Sequence, residues 1–353
     1  MASGGGPPAY DPAMNGWHRI RFALPWALVA LVAAAAWVSP GWAWGAMAAV
    51  QVVLALLERV PALRHSPPAE PQTAWHRACI RLHLPMQAAL LAWCLWLLVT
   101  RDTGWLGAVA LGLAAGGVSG SQGITFAHEL GHSKSRLDRV IAWLLMASVN
   151  YAHFMVEHYR GHHPRAAMHD DPASARRGES LWRFLPRTLR GSWASAWRLE
   201  ASRLRQHRRG WRHSPLVWAC AGQGALLVVL PLLLGPVALV FWLVQSAYAV
   251  FLLETVNYIE HYGLQRPPGQ RFGVQHAWNA DHLVTNSLLA NLQRHSDHHL
   301  HAWKPYAELQ PLPGPQLPTG YAGCLFLATV PPLWFSAMHR RLDRLPAAQP
   351  ASG

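Results

Sequence analysis

The sequence predicts an all-α integral membrane protein, with six transmembrane helices in three hairpins and a histidine-rich cap on the cytoplasmic side. Three observations predict it. Of 353 residues, 52% are hydrophobic and only 13% are charged. The apolar residues are gathered into six long runs. Thirty Lys and Arg stand against seventeen Asp and Glu, for a net charge of +13, and nearly all of the basic residues fall on one side of those runs. Such a composition excludes a disordered chain. No DNA- or RNA-reading motif accompanies the positive charge, which argues against a nucleic-acid footprint.

Residues 1–21 begin with a Gly/Pro/Ala-rich stretch, lack a signal-peptide pattern, and are expected to form a flexible cytoplasmic tail. The first hairpin covers 22–38 and 42–57 and turns at Ser39-Pro40-Gly41. A basic loop at 58–83 leads to the second, 84–100 and 104–127, which turns at Arg101-Asp102-Thr103. The polar segment 128–214 leads to the third, 215–234 and 236–257, joined by Gly235. Each run holds about 16 to 24 residues, near the roughly 20 that cross a bilayer core. Glu254 is the one Asp, Glu, Lys or Arg inside them. A soluble protein with six such core helices would be exceptional. The side with the short turns carries only Arg101, so the termini and large loops are expected on the cytoplasmic side. Residues 22–257 then form the membrane domain, its cytoplasmic loop 128–214 carrying two histidine motifs, and 258–353 complete the metal site from the same side.

Histidine is the other excess, at twenty-one residues. Nine fall in four compact motifs: His128-Glu129-Leu130-Gly131-His132; Glu157-His158-Tyr159-Arg160-Gly161-His162-His163; Asn257-Tyr258-Ile259-Glu260-His261-Tyr262-Gly263; and Leu292-Gln293-Arg294-His295-Ser296-Asp297-His298-His299. On a helix, residues four apart share a face, so His128 with His132, His158 with His162, and His295 with His299 can each offer two imidazoles to one point. His163 and His298 are then turned about 100° away, toward a second ion. His-Glu-x-x-His alone is also a zinc-protease pattern, with Glu129 as base. Nine imidazoles, however, exceed what one ion accepts and suit two ions with four or five nitrogens each. Imidazole suits zinc, copper, iron and nickel alike, and a redox-active pair at a bilayer surface favours iron. Glu129, Glu157, Glu260 and Asp297 are placed to accept the second N–H of ligating histidines. His153, His169, His282 and His301 fit no ligand pattern. Glu254 either faces the interior or reaches the interface, and Gly107, Gly112, Gly116, Gly117 and Gly120 allow close helix approach or a narrow cavity.

At these motifs the chain resembles the membrane-bound non-haem di-iron alkane monooxygenases, the alkane omega-hydroxylases, within the fatty-acid desaturase/hydroxylase superfamily. The first two motifs are shared across that superfamily. The third and fourth point to the alkane and xylene hydroxylase branch. Asp171-Pro172-Ala173-Ser174-Ala175-Arg176 and Pro315-Gln316-Leu317-Pro318-x-Gly320-Tyr321 are also similar to that family. Ser133, where lysine is common, and Leu300-His301-Ala302-Trp303-Lys304, near which a small residue and a proline are expected, depart from it without removing a ligand.

The resemblance implies a bacterial-type inner-membrane enzyme. Two Fe held by the nine histidines would use O2 to hydroxylate the terminal carbon of a medium- or long-chain n-alkane. Methyl hydroxylation of an alkyl-aromatic of the xylene type and acyl-chain desaturation or hydroxylation are alternatives, with a zinc-dependent intramembrane protease behind them. A metal transporter would place its ligands nearer the bilayer midplane. The four cysteines, Cys79, Cys94, Cys220 and Cys324, form no C-x-x-C pair. Electrons must therefore come from a separate carrier, by resemblance rubredoxin with its reductase. The basic residues Arg176, Arg177, Arg183, Arg187 and Arg190 offer either a docking face for that acidic partner or a contact with phospholipid headgroups.

Overall fold

The computed structural model describes residues 19–345, so all but the last three residues of the expected 1–21 tail lie outside the described residues. Among the described residues the chain is helical, with one isolated parallel bridge between Asn279 and Gln316. Six helical segments of the described residues are long and apolar enough to cross a membrane: Arg21–Val38, Pro40–Leu57, Ala74–Thr100, Gly104–Gly131, Pro215–Leu234 and Pro236–His261. They occur in the expected order and pairing.

Within these segments the first hairpin consists of α1 (Leu24–Val38) and α2 (Pro40–Leu57). Its turn is tighter than expected, because Pro40 already occupies the first turn of α2, where its missing N–H costs nothing. Only Ser39 is extended, and its Oγ accepts from Trp42 N at 3.2 Å. The third segment starts ten residues earlier than expected, as α3 (Ala74–Arg81) running into α4 (His83–Thr100). Its first turns are amphipathic and so escape a hydropathy reading. Thr73 caps α3 with the ring of His76, and Arg81 pairs with Asp138 at 2.7 Å.

The fourth segment comprises α5 (Gly104–Val118), a π turn at Ser119–Gly123, and α6 (Ile124–Gly131). α11 (Pro215–Leu234) and α12 (Pro236–His261) meet at Gly235, whose φ of +83° suits glycine. α5 lies directly on α12. A Cβ on Gly112 would fall 2.9 Å from Val244, on Gly116 2.6 Å from Gln245 O, and on Gly120 2.7 Å from Ala249 Cα. These glycines therefore serve close helix approach.

Exposed tryptophans gather at both ends of the bundle, as at membrane interfaces. At the short-turn end Trp37, Trp93 and Trp96 stack, and the Arg101 guanidinium lies 4.2 Å from the Trp37 ring centre. At the other end Trp182, Trp193, Trp211, Trp218 and Trp303 are exposed.

That second end carries the cap. It is built from α7 (Arg136–Ser148), α8 (Phe154–Glu157), a π turn at His158–His162, α9 (His163–Arg165) and the long α10 (Leu181–Gln206). Later in the chain come α13 (Leu283–Leu288), α14 (His295–Leu300), α15 (Tyr321–Thr329) and α16 (Pro331–Leu342). α12 continues to His261, four residues past the expected end of the sixth run, and α15 packs on α2 and α12.

Candidate metal centre

The nine motif histidines converge at the cap end of the bundle in two groups. His128, His132, His158, His163 and His298 form one, and His162, His261, His295 and His299 the other. Within each group the ligand atoms all lie within 4.8 Å of one another. His128 and His132 come from the last turns of the fourth span and His261 from the end of the sixth. The remaining six come from the π turn that follows α8, from the first residue of α9 and from α14.

One expected pairing is different. His158 and His162 belong to separate groups, and His158 joins His163 instead, their Nε2 atoms 3.0 Å apart. The cause is local backbone geometry. In an α-helix the residue five along points about 140° away, but His158–His162 form a π turn, whose wider i→i+5 winding brings His163 beside His158. His295 and His299 share a group as their spacing predicts, and His298 turns to the other.

The nitrogens present fit metal ions. His163 Nε2 also lies 3.3 Å from His298 Nε2, and His261 Nε2 lies 3.3 Å from His295 Nε2. The Nε2 atoms of His132, His162 and His299 are buried without a hydrogen-bond partner among the described residues. Leaving buried polar atoms unpaired is costly, and a shared cation at each point removes that cost. Burial lowers the His132 pKa to about 3. Burial first, then the neighbouring imidazoles, holds His158, His163, His295, His298 and His299 well below the ordinary range. The rings are therefore neutral at physiological pH, with lone pairs available to a metal.

The groups that orient these rings are mostly not the expected ones. His162 Nδ1 is 2.8 Å from Asp171 Oδ2, and His261 Nδ1 is 3.0 Å from His276 O. Both contacts put the proton on Nδ1 and leave Nε2 free. Burial pushes the Asp171 carboxyl up, but His162 and Ser174 outweigh it and the net direction is down. Of the four expected carboxylates only Glu260 approaches a ligand. Its Oε1 is 3.2 Å from His295 Nδ1, off the line of a good hydrogen bond, and it accepts from Tyr321 Oη at 2.7 Å.

The other three are engaged elsewhere. Glu129 accepts from Tyr306 N at 3.0 Å, Glu157 from Arg165 Nη2 at 2.7 Å, and Asp297 from Lys304 at 2.7 Å and Gln310 N at 2.8 Å. The reason is helical geometry: a carboxylate adjacent in sequence to a ligand points about 100° away from it. A group on another element has to do the orienting. Asp171 sits in an irregular loop with no periodic spacing to reveal it.

The motif glycines make room for this packing. A Cβ on Gly131 would overlap Tyr159 Oη, which donates to His128 O at 3.0 Å, and one on Gly161 would fall 2.5 Å from the Glu157 carboxylate. Glu254 faces the interior. It accepts from Tyr151 Oη at 2.6 Å, Thr188 Oγ1 at 2.8 Å and Asn257 Nδ2 at 3.2 Å. His153 packs between Tyr151 and Trp193, and His301 contacts Asp297, so both are structural, while His169 is exposed.

A narrow apolar cavity leads to the two groups. Leu28, Met47, Val50, Leu54, Leu252, Leu253 and Val256 line it within the bundle, and it reaches His128 and His158 of one group and His295 of the other.

The family model for fatty acid desaturase matches residues 103–325. The chain is 42% identical over 265 residues to alkane 1-monooxygenase 1 of Pseudomonas aeruginosa, covering 72% of this chain and 69% of that one. It is 38% identical over 319 residues to alkane 1-monooxygenase 2 of the same organism, covering 84% and 83%. To the hydroxylase component of the xylene/toluene monooxygenase of Pseudomonas putida it is 29% identical over 225 residues, covering 62% and 60%. With six spans, two imidazole clusters at their ends and this degree of identity, the chain is a multi-pass membrane protein that belongs to the alkane 1-monooxygenase family within the fatty acid desaturases.

Proposed function

We propose that this protein is a di-iron monooxygenase that inserts one atom of O2 into a terminal C–H bond of a medium- or long-chain n-alkane. The products are a primary alcohol and water, and each turnover consumes two electrons and two protons. The observation that carries the reading is the apolar cavity that ends on members of both histidine groups. An alkane has no polar handle and is selected by burial in apolar surroundings, and this cavity supplies such a lining up to the imidazoles. The names of the relatives, alkane 1-monooxygenases in several bacteria, support the same substrate class.

In this reading His128, His132, His158, His163 and His298 hold one iron, and His162, His261, His295 and His299 hold the other. The ions, when bound, supply the activation of dioxygen. Asp171 and the His276 carbonyl keep two imidazoles in the tautomer that ligates, and Glu260, held by Tyr321, places its charge 3.2 Å from His295 Nδ1. The leucines of the cavity exclude water from the reacting carbon and align the chain end toward the imidazoles.

Electrons come from a separate carrier, rubredoxin with its reductase, a reading in keeping with four cysteines that are separate and free. Of the five arginines expected at its docking face, Arg176, Arg183 and Arg190 are exposed. Arg187 is committed to Glu179 at 2.7 Å and Arg177 to Asp343 at 2.6 Å, so the first three are the ones open to a partner. The cap and both termini face the cytoplasm of an inner membrane, in keeping with the basic residues on that side.

The deciding experiment measures iron per chain and products from octane, dodecane, p-xylene and a fatty acid with a reconstituted electron supply. Two irons and a primary alcohol from the alkanes are expected. One zinc per chain, or oxidation of p-xylene or the acyl chain alone, would refute the proposal.

A further inference from the structure

A groove of about 810 Å³ separates α7 from α11, and nothing in the proposed chemistry uses it. Val140, Trp143 and Leu144 form one wall, Ala219 and Leu226 the other. Arg136 and Arg139, at the start of α7, stand at one end with Pro215 and Trp218 of α11. Ala147 and Gln223 close the opposite end, where Gln223 is buried against the backbone that follows α7. Gly222 leaves the floor open, since a Cβ there would meet no atom within 4 Å.

The rim is cationic and not neutralised. Among the described residues no Asp or Glu lines the groove. Arg136 is exposed and pairs with no carboxylate among the described residues. Arg139 is steadied by Ser133 O at 2.9 Å and Lys134 O at 2.8 Å, both neutral acceptors. Trp218 donates to Arg212 O at 2.9 Å, which sets the exposed Arg212 beside the same end. α11 is a membrane span, so the groove opens toward lipid, and its character changes along its length from arginine to leucine.

We propose that this groove is a specific site for an anionic phospholipid. One acyl chain lies along Val140, Leu144 and Leu226, and the phosphate is held by Arg136 and Arg139 with Arg212 nearby. Clustered arginines beside a span attract anionic headgroups, and the indole of Trp218 sits at headgroup level as interfacial tryptophans do. A zwitterionic lipid brings its own cation to three arginines and gains less.

The test uses the full chain, purified in detergent and stripped of lipid. Phosphatidylglycerol or phosphatidylcholine is added back, and occupancy is read by native mass spectrometry. One phosphatidylglycerol per chain is expected to stay bound under conditions that remove phosphatidylcholine. Arg136→Gln with Arg139→Gln should weaken that binding by about tenfold or more, the order set by two arginines at a membrane surface. Gly222→Leu should block it by filling the groove, in an exposed helical position where leucine is the better helix former. The proposal is overturned if the two lipids bind equally, if both variants retain phosphatidylglycerol, or if millimolar inorganic phosphate displaces it and so marks a site for free phosphate.

Discussion

Asp171 does for His162 what the carboxylates inside the motifs fail to do for their own neighbours, because it approaches the ring from a different element. Replacing it by Asn keeps the shape and removes the charge that fixes the ring. Asp171→Asn is expected to lower metal affinity by about 10- to 100-fold. Glu129→Gln, whose carboxylate serves Tyr306 N, should leave affinity nearly unchanged. Competition between the protein and a chelator measures both, and equal effects would contradict the assignment.

Acidity acts through the same rings. An unfolded histidine titrates near 6.5, whereas burial takes His132 to about 3. A lowered folded-state value means the stabilisation is intact above about 6.5 and is lost as pH falls toward 3. The melting temperature of chelator-treated protein should therefore drop steadily below pH 6.5, and a flat profile down to pH 4 would argue against neutral buried rings. Several histidines outside the motifs have structural duties: His76 and His276 cap short helices, and His339 meets Tyr262 Oη at 2.9 Å.

Two helices depend on local departures from α geometry. The π turn at His158–His162 hands one histidine to each group, and the one at Ser119–Gly123 lies just before His128. Spacing arguments that assume 3.6 residues per turn pair His158 wrongly for this reason, while they succeed for His128 and His132 and for His295 and His299, which lie in or just beyond α-helix. The glycine face of α5 is the other element-scale feature. Gly116→Val would force its side chain against Gln245 O, at a cost of about 1–3 kcal/mol for an overpacked contact. A lowered unfolding midpoint in detergent is the expected result. Gly45, with nothing within 4 Å of a Cβ, is the control position that should tolerate alanine.

On the scale of the whole molecule, six spans bring four motifs from distant parts of the sequence to one end. Single cysteines at Arg101 and Arg190 should label from opposite sides of the membrane in sealed vesicles, and labelling of both from one side would overturn this topology. The same end carries the exposed arginines Arg183 and Arg190. Reversing both to Glu should raise KM for an acidic carrier and weaken its salt dependence while kcat changes little, since rim charges act mainly on encounter. A matching loss of kcat would mean they serve the centre itself.

The sequence by itself determined the number and pairing of the spans, their common side, and which nine histidines could meet. These depend on the hydropathy of contiguous runs and on residues four apart, and both are local. Only the tertiary structure decided how the nine divide into five and four, that Asp171 and the His276 carbonyl orient ligands, that Arg187 is already paired, and where α7 and α11 leave a groove. Each of these depends on a backbone irregularity or on contacts between residues that no helical or strand repeat relates. A one-dimensional pattern carries no signal of such contacts.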